Sequence, residues 1–310
     1  MKYLFVHVLG YLVLDSNFKQ VEEGVFSSLK DYYNKKVLEE KLKKKYPDLA
    51  LLPLERSMKA LEHFKDKKYF PELYARNASL SKKAVRSSVS ENDMITQAIS
   101  NIIELDRTCN LLSKRLREWY GLYFPELSQQ VFSNDRFVEM VINKTKDELA
   151  SELKVKETMG AELKERDVLE MLQLATQINS LGELRKAHEA YLDQIMGEFC
   201  PNLKELAGVT IGAKLLELAK GLKNLALLPA STIQLLGAEK ALFRHIKTGA
   251  RSPKYGVLIN HPLVQNCKHE DKGKVARALA DKLSMCARLD YFQGEFKAPE
   301  YKKELEGRFR

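Results

Sequence analysis

Between Pro125 and Pro201 there is no proline across 75 residues, and only three glycines, Gly160, Gly182 and Gly197. Proline removes a backbone donor and clashes with the preceding turn, so a stretch this long without it is free to run as uninterrupted helix. The apolar residues keep helical time. Val138, Ile142, Thr145, Leu149 and Leu153 step by 4, 3, 4 and 4. Met171, Leu174, Ile178, Leu181, Leu184, His188, Tyr191 and Ile195 follow at a mean spacing of about 3.4, the period of a coiled-coil seam. Placing the turn at Gly160 predicts two long antiparallel helices. An extended hairpin buries little against itself, so the pattern also predicts a second surface, most simply a second copy of the chain; the alternative is a long helix pair packed on its own domain. The residues expected at that seam are Val138, Ile142, Leu149, Leu153, Ile178, Leu181 and Tyr191. His188 falls on the same seam and reads as a packed or hydrogen-bonded histidine.

The flanks differ. Residues 1–85 read as a small α/β domain. Tyr3–Leu14 is strand-like, Asp15-Ser16-Asn17 signals a turn, and Val21–Phe26 returns as a second strand. Residues 35–46 and 55–66 have helical spacing, and Leu49–Leu52 between two prolines reads as another strand. Lys67–Ser90 is polar and serine-rich and reads as a connection. Ser90 or Asn92 caps a helix that carries Ile95, Ile99, Ile102, Leu105, Leu112 and Leu116 toward Trp119. The aromatic segment from Trp119 to Pro125 reads as the core of a helix junction. From Pro201 onward, helical patterns broken by Gly and Pro predict an all-α domain. The fold class expected is therefore mostly α, in three parts: an α/β domain over 1–85, a helical linker and coiled-coil hairpin over 86–198, and an all-α domain over 199–310.

Charge separates these parts. The chain has 310 residues and a net charge of +9. Residues 199–310 hold 20 Lys+Arg against 11 Asp+Glu, while residues 1–198 hold 31 of each. A segregated basic domain implies a polyanionic partner. The excess is sharpest from Lys240 to His269, thirty residues without a carboxylate. Lys240, Arg244 and Lys247 stand at i, i+4 and i+7 and share one helix face; Arg251 and Lys254 follow. Leu242, Phe243 and Ile246 point elsewhere and would anchor that helix to a core. Gly237 and Ala238 lie at the helix start, where free backbone N–H groups could take a phosphate. Cations on a rigid element suit phosphate contact, but charge alone does not separate RNA from DNA or from an acidic protein.

Other chemistries find little footing. The apolar run Tyr3–Leu14 is too short to span a bilayer, so no membrane partner is expected. The four cysteines, Cys109, Cys200, Cys267 and Cys286, form no CxxC pair. His261, Cys267 and His269 can be drawn as a metal site, but their spacing matches no common zinc pattern. There is no P-loop, no GxSxG and no HExxH.

The run from Leu228 to Arg244 contains Gly-Ala-Glu-Lys and Ala-Leu-Phe-Arg, followed by Ser252-Pro-Lys-Tyr-Gly256. With Pro201-Asn-Leu, Gly212-Ala-Lys-Leu and Met159-Gly160 upstream, it resembles the Nop-domain family, in particular the archaeal-type scaffold of box C/D small ribonucleoproteins. The likeness is closest over 199–292 and faint over the N-terminal segment. It implies a non-catalytic scaffold for guide-directed RNA 2′-O-methylation. The implied partners are fibrillarin on the N-terminal domain, a box C/D guide RNA with a kink-turn, its small ribosomal-type kink-turn-binding protein, and a second copy of the chain through the coiled coil. The chain itself would bind no cofactor; S-adenosylmethionine would belong to fibrillarin. Gly237, Ala238, Glu239, Lys240 and Arg244 would lie at the ribonucleoprotein surface. Charge and helical position add Lys247, Arg251 and Lys254. The compartment would be cytoplasmic in an archaeon and nucleolar in a eukaryote. The alternative is a coiled-coil adaptor whose basic domain binds acidic protein.

Overall fold

In the computed structural model the chain is described over residues 1–53 and 57–309. It divides into two compact units, Met1–Val89 and Ser90–Arg310.

The first unit is built on a four-stranded sheet in the order β3-β2-β1-β4. Strand β1 (Lys2–His7) and strand β2 (Gly10–Leu14) form an antiparallel hairpin, so the apolar run Tyr3–Leu14 is two strands with its turn at Val8–Leu9, not one. Asp15 then turns the chain by accepting the amides of Asn17 and Lys19, and β3 (Gln20–Val25) pairs antiparallel to β2. Helices α1 (Leu29–Tyr33) and α2 (Lys35–Lys45) lead to β4 (Leu49–Leu51), which pairs parallel to β1. Alternation gives the sheet two apolar faces. Leu4, Val13, Leu42 and Leu49 form one small core, and Leu9, Leu12, Leu14, Ala60 and Phe64 the other. Helix α3 (Ser57–His63) covers the second face; the first two residues of the helix expected over 55–66 lie outside the described residues. The segment expected as a connection is instead a helix, α4 (Phe70–Ser88). Its serines and lysines hide the pattern, and its anchors are a buried Arg76 and the partly buried Leu73.

The second unit is all helical. Ser90 and Asp93 form a capping box that starts α5 (Glu91–Tyr120). Three short helices follow, α6 (Pro125–Gln130), α7 (Asn134–Asn143) and α8 (Lys146–Glu152), and then α9 (Glu165–Phe199). At 1.5 Å per residue α9 is about 50 Å long. The partner of α9 is α5, and the pair is antiparallel: Asn101 meets His188 at 2.7 Å and Asp106 pairs with Arg185.

This corrects the hairpin read from the sequence. The arm expected before Gly160 is not one long helix. It folds into α6–α8 against the far ends of α5 and α9. Val138, Leu149 and Ile178 are buried in that core, with Ile142 and Leu153 packed against it. The chain's own side chains cover Val138, Leu149 and Ile178, so these three do not form a surface seam, while Ile142 and Leu153 are half-buried. Of the seam residues named above, Tyr191 is exposed and Leu181 half-buried. Helical spacing marked Val138, Leu149, Met171 and Ile178 correctly as buried, but Thr145, Leu184 and Tyr191 are exposed. It could not tell a seam from a cap of short helices, because Lys144–Thr145 and Lys154 break the helix without proline or glycine. Gly160 sits where the chain crosses the aromatic junction: the Ala161 amide donates to Leu122 O at 2.8 Å, and the Met159 amide to Glu126 at 2.9 Å. Tyr120 and Phe124 fill that junction, whereas Trp119 lies at its edge.

At their other ends α5 and α9 enter a larger core, in the region that holds α10 (Pro201–Ala207), α11 (Val209–Ala219), α12 (Leu222–Leu227), α13 (Ala230–Leu235), α14 (Glu239–Thr248), α15 (Pro262–Gln265), α16 (Lys272–Tyr291) and α17 (Ala298–Phe309). Of these, α14 contributes no buried residue. Val275, Leu279, Leu283 and Ala287 run down the buried face of α16, as their four-residue spacing predicts. Asn202, only 2% exposed, ties this core together. Its side-chain amide donates to Asp290 at 2.9 Å and to Glu295 O at 3.2 Å, and its oxygen accepts the amides of Lys297 and Ala298 at 2.8 and 3.0 Å. Asp290 also accepts the amides of Asn202 and Leu203, capping α10 from outside the helix. Among the described residues no helix is long and apolar enough to cross a membrane.

Candidate nucleic-acid interface

The carboxylate-free window becomes a finger. Two chain segments meet at its base: the Gly256 amide donates to Gln234 O at 2.9 Å and the Val257 amide to Leu236 O at 2.8 Å. Buried Gln234 adds a side-chain bond to Lys254 O at 2.6 Å. The base is too tight for a side chain at Gly256, where a Cβ would lie 1.9 Å from Leu236 O. Gly237 turns at φ +88°, and a Cβ there would meet Val257 Cγ2 at 2.5 Å. These two contacts account for the glycines of Gly-Ala-Glu-Lys and Lys-Tyr-Gly. They hold residues 238–253 outward, with α14 as the finger's rigid element.

Helix α14 brings Lys240, Arg244 and Lys247 onto one exposed face, as their spacing predicts. No carboxylate pairs with any of them among the described residues. Gly249, in the left-handed region, ends the helix, and the Thr248 hydroxyl donates back to Arg244 O at 2.8 Å. Arg251 is exposed in the following turn. Lys254 sits at the base, its stem against Gly273, so it marks the edge of the surface rather than its centre.

Two expectations for this helix fail: it packs on almost nothing, and the amides at its start are already bonded. Leu242 is partly covered, but Phe243 and Ile246 are 64% and 68% exposed. They do not anchor the helix; they flank its cationic face. The N–H groups of Gly237 and Ala238 are not free either. The first donates to the Glu239 carboxylate at 2.7 Å and the second to Leu235 O at 2.9 Å. Glu239 thus closes the turn before the helix. The result is a projecting strip in which apolar side chains run beside unpaired cations. Such a strip suits a composite partner, with phosphates on one side and an apolar or stacking surface on the other.

His261 is buried, accepts the Leu263 amide at Nδ1 (3.3 Å) and meets Leu206 O at Nε2 (3.0 Å), so both ring nitrogens are occupied. Burial lowers its pKa and keeps it neutral. Cys267 donates its thiol to Val264 O.

The Nop family model, described as a snoRNA-binding domain and fibrillarin, matches residues 101–310. The chain belongs to the Nop family. An uncharacterized NOP5 family protein of Methanocaldococcus jannaschii is 43% identical over 249 residues, covering 75% of this chain and 60% of that protein. Nucleolar protein 56 of Schizosaccharomyces pombe is 38% identical over 236 residues, covering 69% and 48%. Nucleolar protein 56 of Homo sapiens is 35% identical over 235 residues, covering 69% and 40%. The matched region therefore spans about two fifths to three fifths of these Nop-family relatives. A chain in a crystal structure of a fibrillarin/Nop5p complex aligns with a TM-score of 0.46 at 23% identity, covering 99% of this chain and 100% of that one.

Proposed function

We propose that this Nop-family chain is a non-catalytic scaffold of a box C/D guide ribonucleoprotein that directs RNA 2′-O-methylation. The observation that carries the reading is the clamped finger, with its unpaired cations beside Phe243 and Ile246, inside the region matched by the snoRNA-binding family. A kink-turn RNA bearing its small protein presents both surfaces this strip requires: phosphates for Lys240, Arg244 and Lys247, and a protein face for the apolar residues. Fibrillarin would dock on the first unit and supply the chemistry with its own S-adenosylmethionine. Self-association would use the middle of the α5–α9 pair. There no α9 residue between Ile178 and Leu192 is buried, and Leu111, Leu184 and Tyr191 are exposed. In a eukaryotic cell the particle would be nucleolar; in an archaeal cell it would be cytoplasmic.

The test is a gel-shift titration of the full chain and its Lys240→Glu, Arg244→Glu, Lys247→Glu variant on a kink-turn RNA carrying its small protein. The reading expects the variant to lose recruitment. It also expects wild-type binding to weaken steeply with salt, because each neutralised phosphate releases counterions. Unchanged recruitment would remove the finger from the interface. If nucleic acid neither co-purifies with the chain nor competes for it, the basic domain binds acidic protein instead.

A further inference from the structure

The boundary at Val89 divides charge that the longer sum conceals. Residues 1–89 hold 18 Lys+Arg against 11 Asp+Glu, and residues 90–198 hold 13 against 20. The first two thirds of the chain are neutral only because a basic unit precedes an acidic one.

The basic excess of the first unit gathers on α4. Arg76 fastens the first half of this helix to the sheet. Its guanidinium donates to Val8 O at 2.9 Å and to Phe26 O at 2.7 Å, and pairs with Glu72. Beyond Leu80 the helix has no such fastening, and every residue from Ser81 to Val89 is exposed. From Leu73 to Ser90 there is no carboxylate. Lys82 and Arg86 stand four apart on one face of this free half, with Lys83 beside them. The fold then sets two tyrosines against them. Lys83 Nζ lies 4.1 Å from the centre of the Tyr33 ring, Tyr32 and Tyr33 have centroids 6.3 Å apart, and Lys35 Nζ lies 5.6 Å from the Tyr32 ring. Tyr33 is 48% exposed. Four carboxylates of this unit pair elsewhere: Glu22 with Lys45, Glu23 with His63, Asp66 with Lys68 and Glu72 with Arg76. Asp31 accepts from Ser27 and Ser28 at the start of α1. Among the described residues, Lys35, Lys82, Lys83 and Arg86 have no carboxylate partner.

A face that merely meets solvent mixes signs, as α2 does with Glu39 and Glu40 among its lysines. The free half of α4 does not. Cations beside an exposed ring are how proteins hold a single strand, phosphates on the cations and a base on the aromatic face. An acidic protein would require the charges but not the tyrosines.

We propose that Lys82, Lys83 and Arg86, with Lys35 and Tyr33, form a second RNA-binding surface on the first unit, which takes a single-stranded segment of RNA. The inference rests on the RNA-binding reading above and extends it to the other unit.

The experiment uses the full chain and a fluorescein-labelled single-stranded RNA of mixed sequence, with anisotropy titrations over a salt series. Lys82→Ala, Lys83→Ala and Arg86→Ala are combined in one variant, all at exposed helical positions; the finger variant is run in parallel. Three lost phosphate contacts should lower the slope of log affinity against log salt by about 2. Photo-crosslinking of the wild-type chain to 4-thiouridine RNA should yield adducts at Tyr33 as well as in residues 238–253. An unchanged slope, with crosslinks confined to the finger, overturns the proposal. So does a variant with an unchanged slope that fails to bind purified fibrillarin, because the surface is then a protein interface. If only the finger variant loses RNA, the present inference fails and the RNA reading stands. If neither variant loses RNA and no crosslink forms, the RNA reading itself fails.

Discussion

Gly256→Ala tests whether the finger is held by its base. A Cβ at this position would stand 1.9 Å from Leu236 O, 2.7 Å from Leu236 C and 2.9 Å from Leu235 C. All three are backbone atoms, so no rotamer change relieves the clash. Reaching even 3.0 Å requires the two segments to part by more than 1 Å. The bonds at risk are Val257 N–H to Leu236 O at 2.8 Å and Gly256 N–H to Gln234 O at 2.9 Å. A further ångström takes both beyond the range of about 2.7–3.2 Å over which such bonds hold. Two partly buried bonds at about 1 kcal/mol each, with their groups left unpaired, give about 2–4 kcal/mol of local destabilisation. That corresponds to about a 30- to 700-fold rise in local opening. Hydrogen exchange of the Gly256 and Val257 amides should accelerate accordingly, while α16 keeps its protection. Binding to the kink-turn complex should weaken with it. A folded variant whose two amides exchange at the wild-type rate would refute the clamp.

Asn202→Ala removes four hydrogen bonds from the largest core and leaves the buried Ala298 amide without an acceptor. The expected loss is about 3 kcal/mol, seen as a lower midpoint in urea unfolding. His261 gives stability a pH slope. Burial lowers its pKa, so its contribution is full above the ordinary value of 6.5 and is lost as pH falls through the lowered one. Between about pH 7.5 and 5.5 the wild-type chain should lose more stability than His261→Gln, measured by urea titration at both pH values. Leu149→Ala should cost about 2–5 kcal/mol, because it empties a filled core position, and should leave the oligomeric state unchanged in light scattering. Dissociation of an oligomer without loss of stability would return Leu149 to an intermolecular seam.

Much of this architecture is written in residue spacing. The four-residue steps of α16, the Ser90 cap of α5 and the cationic face of α14 all appear where the pattern puts them. Periodicity reports which side of a helix is buried and is silent on what buries it. Val138 and Leu149 therefore looked like a seam although short helices and the ends of α5 and α9 enclose them. The partner of α9 is α5, which precedes it by 44 residues of intervening chain, a pairing that no local signal encodes. The exposure of Phe243 and Ile246 was equally hidden, because an amphipathic helix usually turns its apolar side inward. The glycines at 237 and 256 carried the missing information: Gly256 permits a close backbone approach, and Gly237 a positive-φ turn against Val257. In the first unit, α4 is held by one partly buried apolar residue, Leu73, and a buried arginine, too little apolar pattern to mark it as a helix.

We propose that the chain organises a methylation it does not perform. Reconstitution with fibrillarin, the kink-turn protein, a guide RNA and S-adenosylmethionine tests it directly, scored for 2′-O-methylation at the guided nucleotide. The account predicts guided methylation only when the chain is present, its loss with the Lys240→Glu, Arg244→Glu, Lys247→Glu variant, and no methyl transfer by the chain alone. Guided methylation that proceeds equally without the chain, or methyl transfer by the isolated chain, would contradict it.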